Sequence, residues 1–279
     1  MQPRSLLAVF AHPDDEAFGS GGSLARYARS GVAVTLVCAT RGEVGEISDL
    51  ALATPETLPA VRERELRAAA RAMGFDDVRF LDYRDSGMAG TADNNNPSAF
   101  VNIPAEQVIA QIVGIIRACK PQVVLTFDPS GGYGHPDHIA IHRHTVAAFH
   151  AAGDPARYPE QGAPWQPGRL LYTAIPRSAW REMRDQLAAQ GVDTSSFDRL
   201  DATATGWPDD QIQFKLDVSS TVAAKWDALN AHQTQFGPDN FFRKMPEATA
   251  QQLLSREHFA QAWPEPEPGA VSDDLFSGL

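Results

Sequence analysis

Four oily runs of strand length, "SLLAVFA" (5–11), "VAVTLVCAT" (32–40), "VRFLDY" (78–83) and "QVVLTFD" (122–128), alternate with helical stretches over 23–30, 58–74 and 104–119. Strands apolar on both faces, each followed by a helix, predict a mostly parallel sheet covered on both sides, a Rossmann-like doubly wound α/β fold. The second helical stretch has its own punctuation, with Pro59 near the start, Gly74 just past the end, and Val61, Leu66, Ala69 and Met73 on one side. After a Pro- and Gly-rich excursion at 153–168, "RLLYTAI", "SAWREMRDQLAAQG", "QIQFKLDV" and "STVAAKWDALNAHQTQ" resume the alternation, with Trp226 expected in the core. The expected organisation is a Rossmann-like core (1–152), a smaller C-terminal α/β appendage (153–262) that completes the sheet and cleft, and an acidic, Pro-rich tail (263–279), loosely held.

Composition narrows the partners. Among 279 residues, 43% are hydrophobic and 21% charged, enough apolar material for a sizeable core. The net charge of -11 argues against nucleic acid, which needs clustered Lys and Arg, and against an anionic membrane surface. Cys38 and Cys119 have apolar neighbours and no CxxC spacing, so both read as buried fillers. The N-terminal apolar run is too short to span a bilayer and lacks a cleavage site, so a cytoplasmic location is expected.

One local design occurs twice. Strand "LLAVFA" leads into "HPDDE", and strand "VVLTF" leads through "DPSGGYG" into "HPDH". In open parallel sheets, ligands bind outside the carboxyl ends of strands, where neighbours send their helices to opposite faces. If the first and fourth strands are neighbours, both motifs reach that crevice. Pro13 and Pro136 suit first helical turns, and the acids beside them suit the helix dipole.

His12, Asp15 and His138 form a two-histidine, one-carboxylate set, and three protein ligands with an open fourth position is the pattern of a catalytic zinc site. A carboxylate beside such a site can take a proton from the attacking water, and Asp14 is the economical candidate. Carbonyl attack also needs an oxyanion stabiliser and a proton for the leaving group. His135 and Tyr133 are placed to supply these, with Asp137 holding His135 or a ligand in the required tautomer. The donor set does not select zinc by affinity alone; iron, nickel or cobalt would also suit it.

On these residues the chain resembles the zinc-dependent de-N-acetylases of N-acetylglucosamine-type sugars, the superfamily of GlcNAc-phosphatidylinositol deacetylases (PIG-L/LmbE-like). "AHPDDE" and "GHPDH" are its signature pair. "YRDSGMAGT" (83–91), "FDPSGGYGHPDH" (127–138) and "ALNAHQTQ" (228–235) are similar to the bacterial branch that handles GlcNAc-inositol in mycothiol synthesis, and to its bacillithiol counterpart. The resemblance implies a Rossmann-like fold and hydrolysis of an acetamide on a small amino-sugar substrate such as GlcNAc-malate or GlcNAc-inositol. It implies zinc ligands at His12, Asp15 and His138, the general base at Asp14, and an acid or oxyanion stabiliser at His135 oriented by Asp137. It further implies a mobile tyrosine at Tyr133 and sugar-hydroxyl contacts at Arg62 and Asp85. The family forms both monomers and oligomers, so homo-oligomers are possible.

Other features weigh less. In "RGEVGEISD", Arg41, Glu43 and Glu46 can edge the crevice, Glu46 reaching a sugar hydroxyl. The Asn-rich "GTADNNNPSAFV" is expected over the cleft. His142, His144 and His150 fall on different helix faces and read as surface or packing groups, and His232 as structural. The clusters "GSGG" and "PSGG" first suggest a phosphate cradle, but no GxGxxG follows the first strand, and they read better as backbone room around a metal and a sugar. Rival readings are an amidase of thiol S-conjugates, in which the family places a lysine where this chain has Gly19, and a non-catalytic sugar-binding relative.

Overall fold

The computed structural model describes residues 3–189, 191 and 206–279. Its strands are β1 (Ser5–Phe10), β2 (Ala33–Thr40), β3 (Asp77–Tyr83), β4 (Val123–Thr126), β5 (Arg169–Thr173), β6 (Phe214–Asp217) and β7 (Arg256–Trp263). They form one sheet in the order β3-β2-β1-β4-β5-β7-β6. The first five in that order pair parallel, and β7 alone runs the other way, between β5 and β6. β1 is buried along its whole length, the consequence of an oily run at the centre of a covered sheet.

The helices are α1 (Asp15–Arg29), α2 (Leu58–Met73), α3 (Ala105–Cys119), α4 (Pro136–Ala152), α5 (Arg177–Ala189), α6 (Val222–Ala231) and α7 (Glu247–Leu254). Gln190, within the helix expected over 178–191, lies outside the described residues. α1, α2 and α6 pack on one another, and α3 packs on α4 across the sheet. β1 lies beside β4 in the register Leu6↔Val123 and Ala8↔Leu125, and the strand order reverses between them. The two His-Pro-Asp motifs therefore leave adjacent strands at the crevice where an open α/β sheet binds its ligands.

Three details depart from the sequence reading. α1 opens at Asp15, ahead of the expected residue 23, so the "GSGG" glycines lie inside it. They are there for close packing, not as room for metal or sugar: a Cβ on Gly22 would stand 2.5 Å from Val218 Cγ2, and one on Gly21 3.3 Å from Lys225 Cγ. β7 and α7 were not anticipated, because "REHFAQAW" mixes charges into an apolar strand; its Glu257 points inward to a buried ion pair with Lys225 at 2.7 Å.

The tail is not loose at its end. Leu275 and Phe276 are buried, the Leu275 amide donates to Tyr27 Oη, that hydroxyl donates to Asp274, and Arg169 donates to the Leu275 carbonyl. β5, β7 and β6 extend the main sheet itself, so the C-terminal part completes the sheet as expected. Cys38 is buried and Cys119 half-buried. Trp226 is in the core, edge-on to Phe236. No helix among the described residues is long and apolar enough to cross a membrane.

Candidate active site

His12 and His138 meet at the crevice. His12 Nδ1 lies 3.1 Å from His138 Nε2, and the Asp15 carboxylate completes the triangle at 3.6 Å from the first and 3.3 Å from the second. Donors around a tetrahedral ion with bonds of about 2.0–2.1 Å stand about 3.3 Å apart, so the two nitrogens and the Asp15 carboxylate, which offers Oδ2 to the first and Oδ1 to the second, fit one divalent cation.

The outer nitrogens set the tautomers. His138 Nδ1 is 3.0 Å from the Gly131 carbonyl, which can only accept, and His12 Nε2 faces Asp137 Oδ2 at 3.2 Å and Asp85 Oδ1 at 3.5 Å. Each ring thus donates outward, leaving two lone pairs facing each other unless a cation or proton lies between them. Asp15 is fixed by the His12 amide, which donates to Oδ2 at 2.7 Å. Burial disfavours charge on both rings. It lowers the His138 pKa, whereas at His12 the hydrogen bonds with Asp137, Asp15 and Asp85 outweigh it and raise the pKa well above the usual value.

His135 also brings a nitrogen within 4.8 Å of His12 and His138. Asp15 suits a third donor place better than His135, because His135 Nδ1 accepts from the Asp137 amide at 3.1 Å, so its Nε2 carries the proton and is a donor. Burial and the nearby His12 and His138 hold the His135 pKa down at about 4, keeping the ring neutral. The Asp137 carboxylate was expected to orient His135 or a ligand. It turns to His12, accepting also from the Ser86 amide at 3.0 Å, and its backbone amide orients His135.

Asp14 has φ 116, a left-handed conformation that turns its carboxylate away from Asp15. There it meets Arg62 Nη2 at 3.3 Å. Burial, opposed by Arg62 and reinforced by Asp15, pushes its carboxyl up to about 6. The two expected sugar contacts, Arg62 and Asp85, are buried. Arg62 also donates to the Pro13 and Gly42 carbonyls, and Asp85 accepts from Gly87 and stands by His12. Glu46, the third, is exposed at the edge.

Tyr133, 67% exposed, stands edge-on to His138 with ring centroids 5.0 Å apart. Its loop depends on Gly131, at φ 66, where a Cβ would stand 2.7 Å from that of His138. Asp128 anchors the same loop: one oxygen accepts from Ser130 Oγ and the Gly132 amide, the other from the Trp207 indole at 2.7 Å. Sequence reasoning missed Asp128, although an Asp two residues before a Ser at a strand end is a turn signal. It left Glu16 without a role; Glu16 accepts from His232 Nε2 at 2.7 Å. His142 bonds the Phe127 carbonyl, a packing role as expected.

Comparison with known proteins places the chain in a family. The family model described as GlcNAc-PI de-N-acetylase (PIG-L) matches residues 7–149, just over half the chain. A 1D-myo-inositol 2-acetamido-2-deoxy-alpha-D-glucopyranoside deacetylase from Geodermatophilus obscurus is 39% identical over 290 aligned positions, covering 99% of this chain and 98% of the relative. Among solved structures, the N,N'-diacetylchitobiose deacetylase of Pyrococcus horikoshii superposes with TM-score 0.65 at 20% identity, covering 93% of this chain and 84% of the other. The 4-carboxy-2-hydroxymuconate hydratase GalB of Pseudomonas putida superposes with TM-score 0.61 at 19% identity, covering 96% and 100%. The last two show a shared fold alone. The family match and the full-length relative carry the assignment: the chain belongs to the GlcNAc-PI de-N-acetylase (PIG-L) family.

Proposed function

We propose that this protein is a divalent-metal-dependent N-deacetylase that hydrolyses the acetamide of a GlcNAc glycoside to acetate and a free amine, and that the aglycone is inositol. The observation that carries the reading is the convergence of His12 Nδ1, His138 Nε2 and the Asp15 carboxylate within 3.1–3.6 Å, beside an adjacent carboxylate turned to another task. The full-length relative named for the inositol glycoside supports the aglycone.

His12, Asp15 and His138 would hold the cation, zinc foremost, with iron, nickel or cobalt suiting the same donors. Such a cation supplies Lewis acidity, polarising a carbonyl and acidifying water. Asp14 takes the proton as water adds to the acyl carbon, its carboxylate held by Arg62. His135 Nε2–H and the Tyr133 hydroxyl donate toward the developing oxyanion. When the C–N bond breaks, the leaving nitrogen takes the proton that Asp14 accepted from water and departs as the amine, leaving Asp14 ionised again. Asp137 and Asp85 keep His12 in the tautomer that offers Nδ1. Glu46, at the exposed edge, is the remaining candidate for a sugar hydroxyl.

The test is a comparison of kcat/KM for GlcNAc-inositol, GlcNAc-malate and N,N'-diacetylchitobiose with zinc present, following primary amine release. The inositol glycoside is expected to lead by about tenfold or more. Another substrate leading would overturn the aglycone, and no amine from any of the three would overturn the hydrolase reading.

A further inference from the structure

We propose that Glu16 and His232 are positioning residues for Asp14, a role that rests on reading Asp14 as the base. Asp14 is a non-glycine residue at φ 116, a conformation that persists only where its surroundings impose it. That conformation lets two consecutive aspartates serve different ends, Asp15 facing His138 and Asp14 facing Arg62.

What imposes it is a buried chain of contacts. The Asp14 amide donates to Glu16 Oε2 at 3.0 Å, and Glu16 Oε1 is engaged by His232 Nε2 at 2.7 Å. Glu16 lies in the first turn of α1 and reaches back to the residue before the helix, as capping glutamates do. Glu16 is 1% exposed and His232 0%.

His232 is itself anchored. Two residues on, the Thr234 amide and hydroxyl donate to Glu65 at 2.9 and 2.6 Å, and Gln235 donates to the Glu46 carbonyl at 2.7 Å. Glu65 and Arg62 share α2, so the helix that holds the Asp14 carboxylate also holds the segment that fixes its amide. A buried carboxylate–imidazole pair is a poor way to gain stability, since an apolar pair of similar volume commonly does as well or better. An apolar pair, however, offers no acceptor to the Asp14 amide.

That contrast supplies the test, on full-length protein loaded with zinc. The double variant Glu16→Met/His232→Leu keeps the volume and removes the acceptor. It is expected to fold and bind zinc at the wild-type ratio. Its crystal structure should show Asp14 out of the left-handed region, with kcat about 100-fold lower and KM within about twofold. His232→Gln, whose amide can still donate to Glu16, is expected to recover kcat to within about tenfold of wild type. Asp14 remaining near φ 116 with unchanged kcat overturns the proposal, as does loss of zinc together with activity. Should the double variant not fold, Glu16→Met alone discriminates likewise: it removes the acceptor of the Asp14 amide, zinc should stay, and an unchanged kcat overturns the proposal. If wild type itself releases no amine, the base reading fails, and the Asp14 conformation still decides the positioning claim.

Discussion

Asp14 and Asp15 are chemically identical neighbours, and their surroundings alone separate them. Asp15 is tied by the His12 amide and faces two imidazoles, while Asp14, turned by its left-handed backbone, faces a guanidinium. The same logic explains His12, whose outer nitrogen is held between Asp137 and Asp85. Removing one of these partners should loosen the metal without removing a ligand. Asp137→Ala is expected to weaken zinc binding about 10–100-fold, read by competition with a chelating dye; affinity equal to wild type would refute the assignment. The convergence of His12, Asp15 and His138 was legible in the sequence, because His-Pro-Asp at two strand ends specifies both residue type and place. The partners of Arg62 and Asp85 were not, because a sequence gives a side chain's chemistry but not the direction in which a buried turn sends it; of the two places open to the Asp137 carboxylate, His135 or a ligand, the structure shows the second, at His12. Arg62, expected at a sugar hydroxyl, holds the Pro13 carbonyl and the Asp14 carboxylate, contacts that its sequence position does not signal.

Among the elements, α1 and β7 show what hydrophobic periodicity misses. A glycine cluster after a strand suggested a ligand cradle, yet Gly22 lies in mid-helix because Val218 comes too close for any side chain. β7 escaped notice because Glu257, a charged residue in its sequence, is buried in the fold. Both its oxygens are occupied: Oε1 accepts from Lys225 at 2.7 Å and the Gly22 amide at 2.8 Å, and Oε2 accepts from the Ser23 amide at 2.7 Å. One ion pair thus joins α6, β7 and α1. Lys225→Met would leave Glu257 charged and buried without its cation, and is expected to cost about 3–5 kcal/mol in denaturant unfolding. A loss below about 1 kcal/mol would show that the helix amides suffice.

Across the whole molecule, the strand order that sets β1 against β4 brings His12 and His138, 126 residues apart, into one site. This was readable from alternating strands and helices, whereas the docking of the tail through Leu275 and Phe276 was not, since an acidic, Pro-rich stretch gives no sign of the two apolar residues that seat it. Global stability should also report on the far side of the sheet. Burial, with Lys215 and Arg256 nearby, holds the His258 pKa down at about 4, so the folded protein keeps the ring neutral while the unfolded chain protonates it near its ordinary 6.5. The contribution is fully present above pH 6.5 and is lost as pH falls toward 4. Between pH 7 and pH 4.5, His258→Gln should therefore lose less stability than wild type in denaturant titrations; equal losses would contradict this.

The fold does not by itself name the chemistry, since a hydratase shares it. The central claim is best tested by primary amine release from GlcNAc-inositol, comparing zinc-loaded wild type with Asp14→Asn at matched zinc content. The account predicts release by wild type and a rate about 10²–10⁴-fold lower in the variant; no release by wild type, or equal rates in the two proteins, would contradict it.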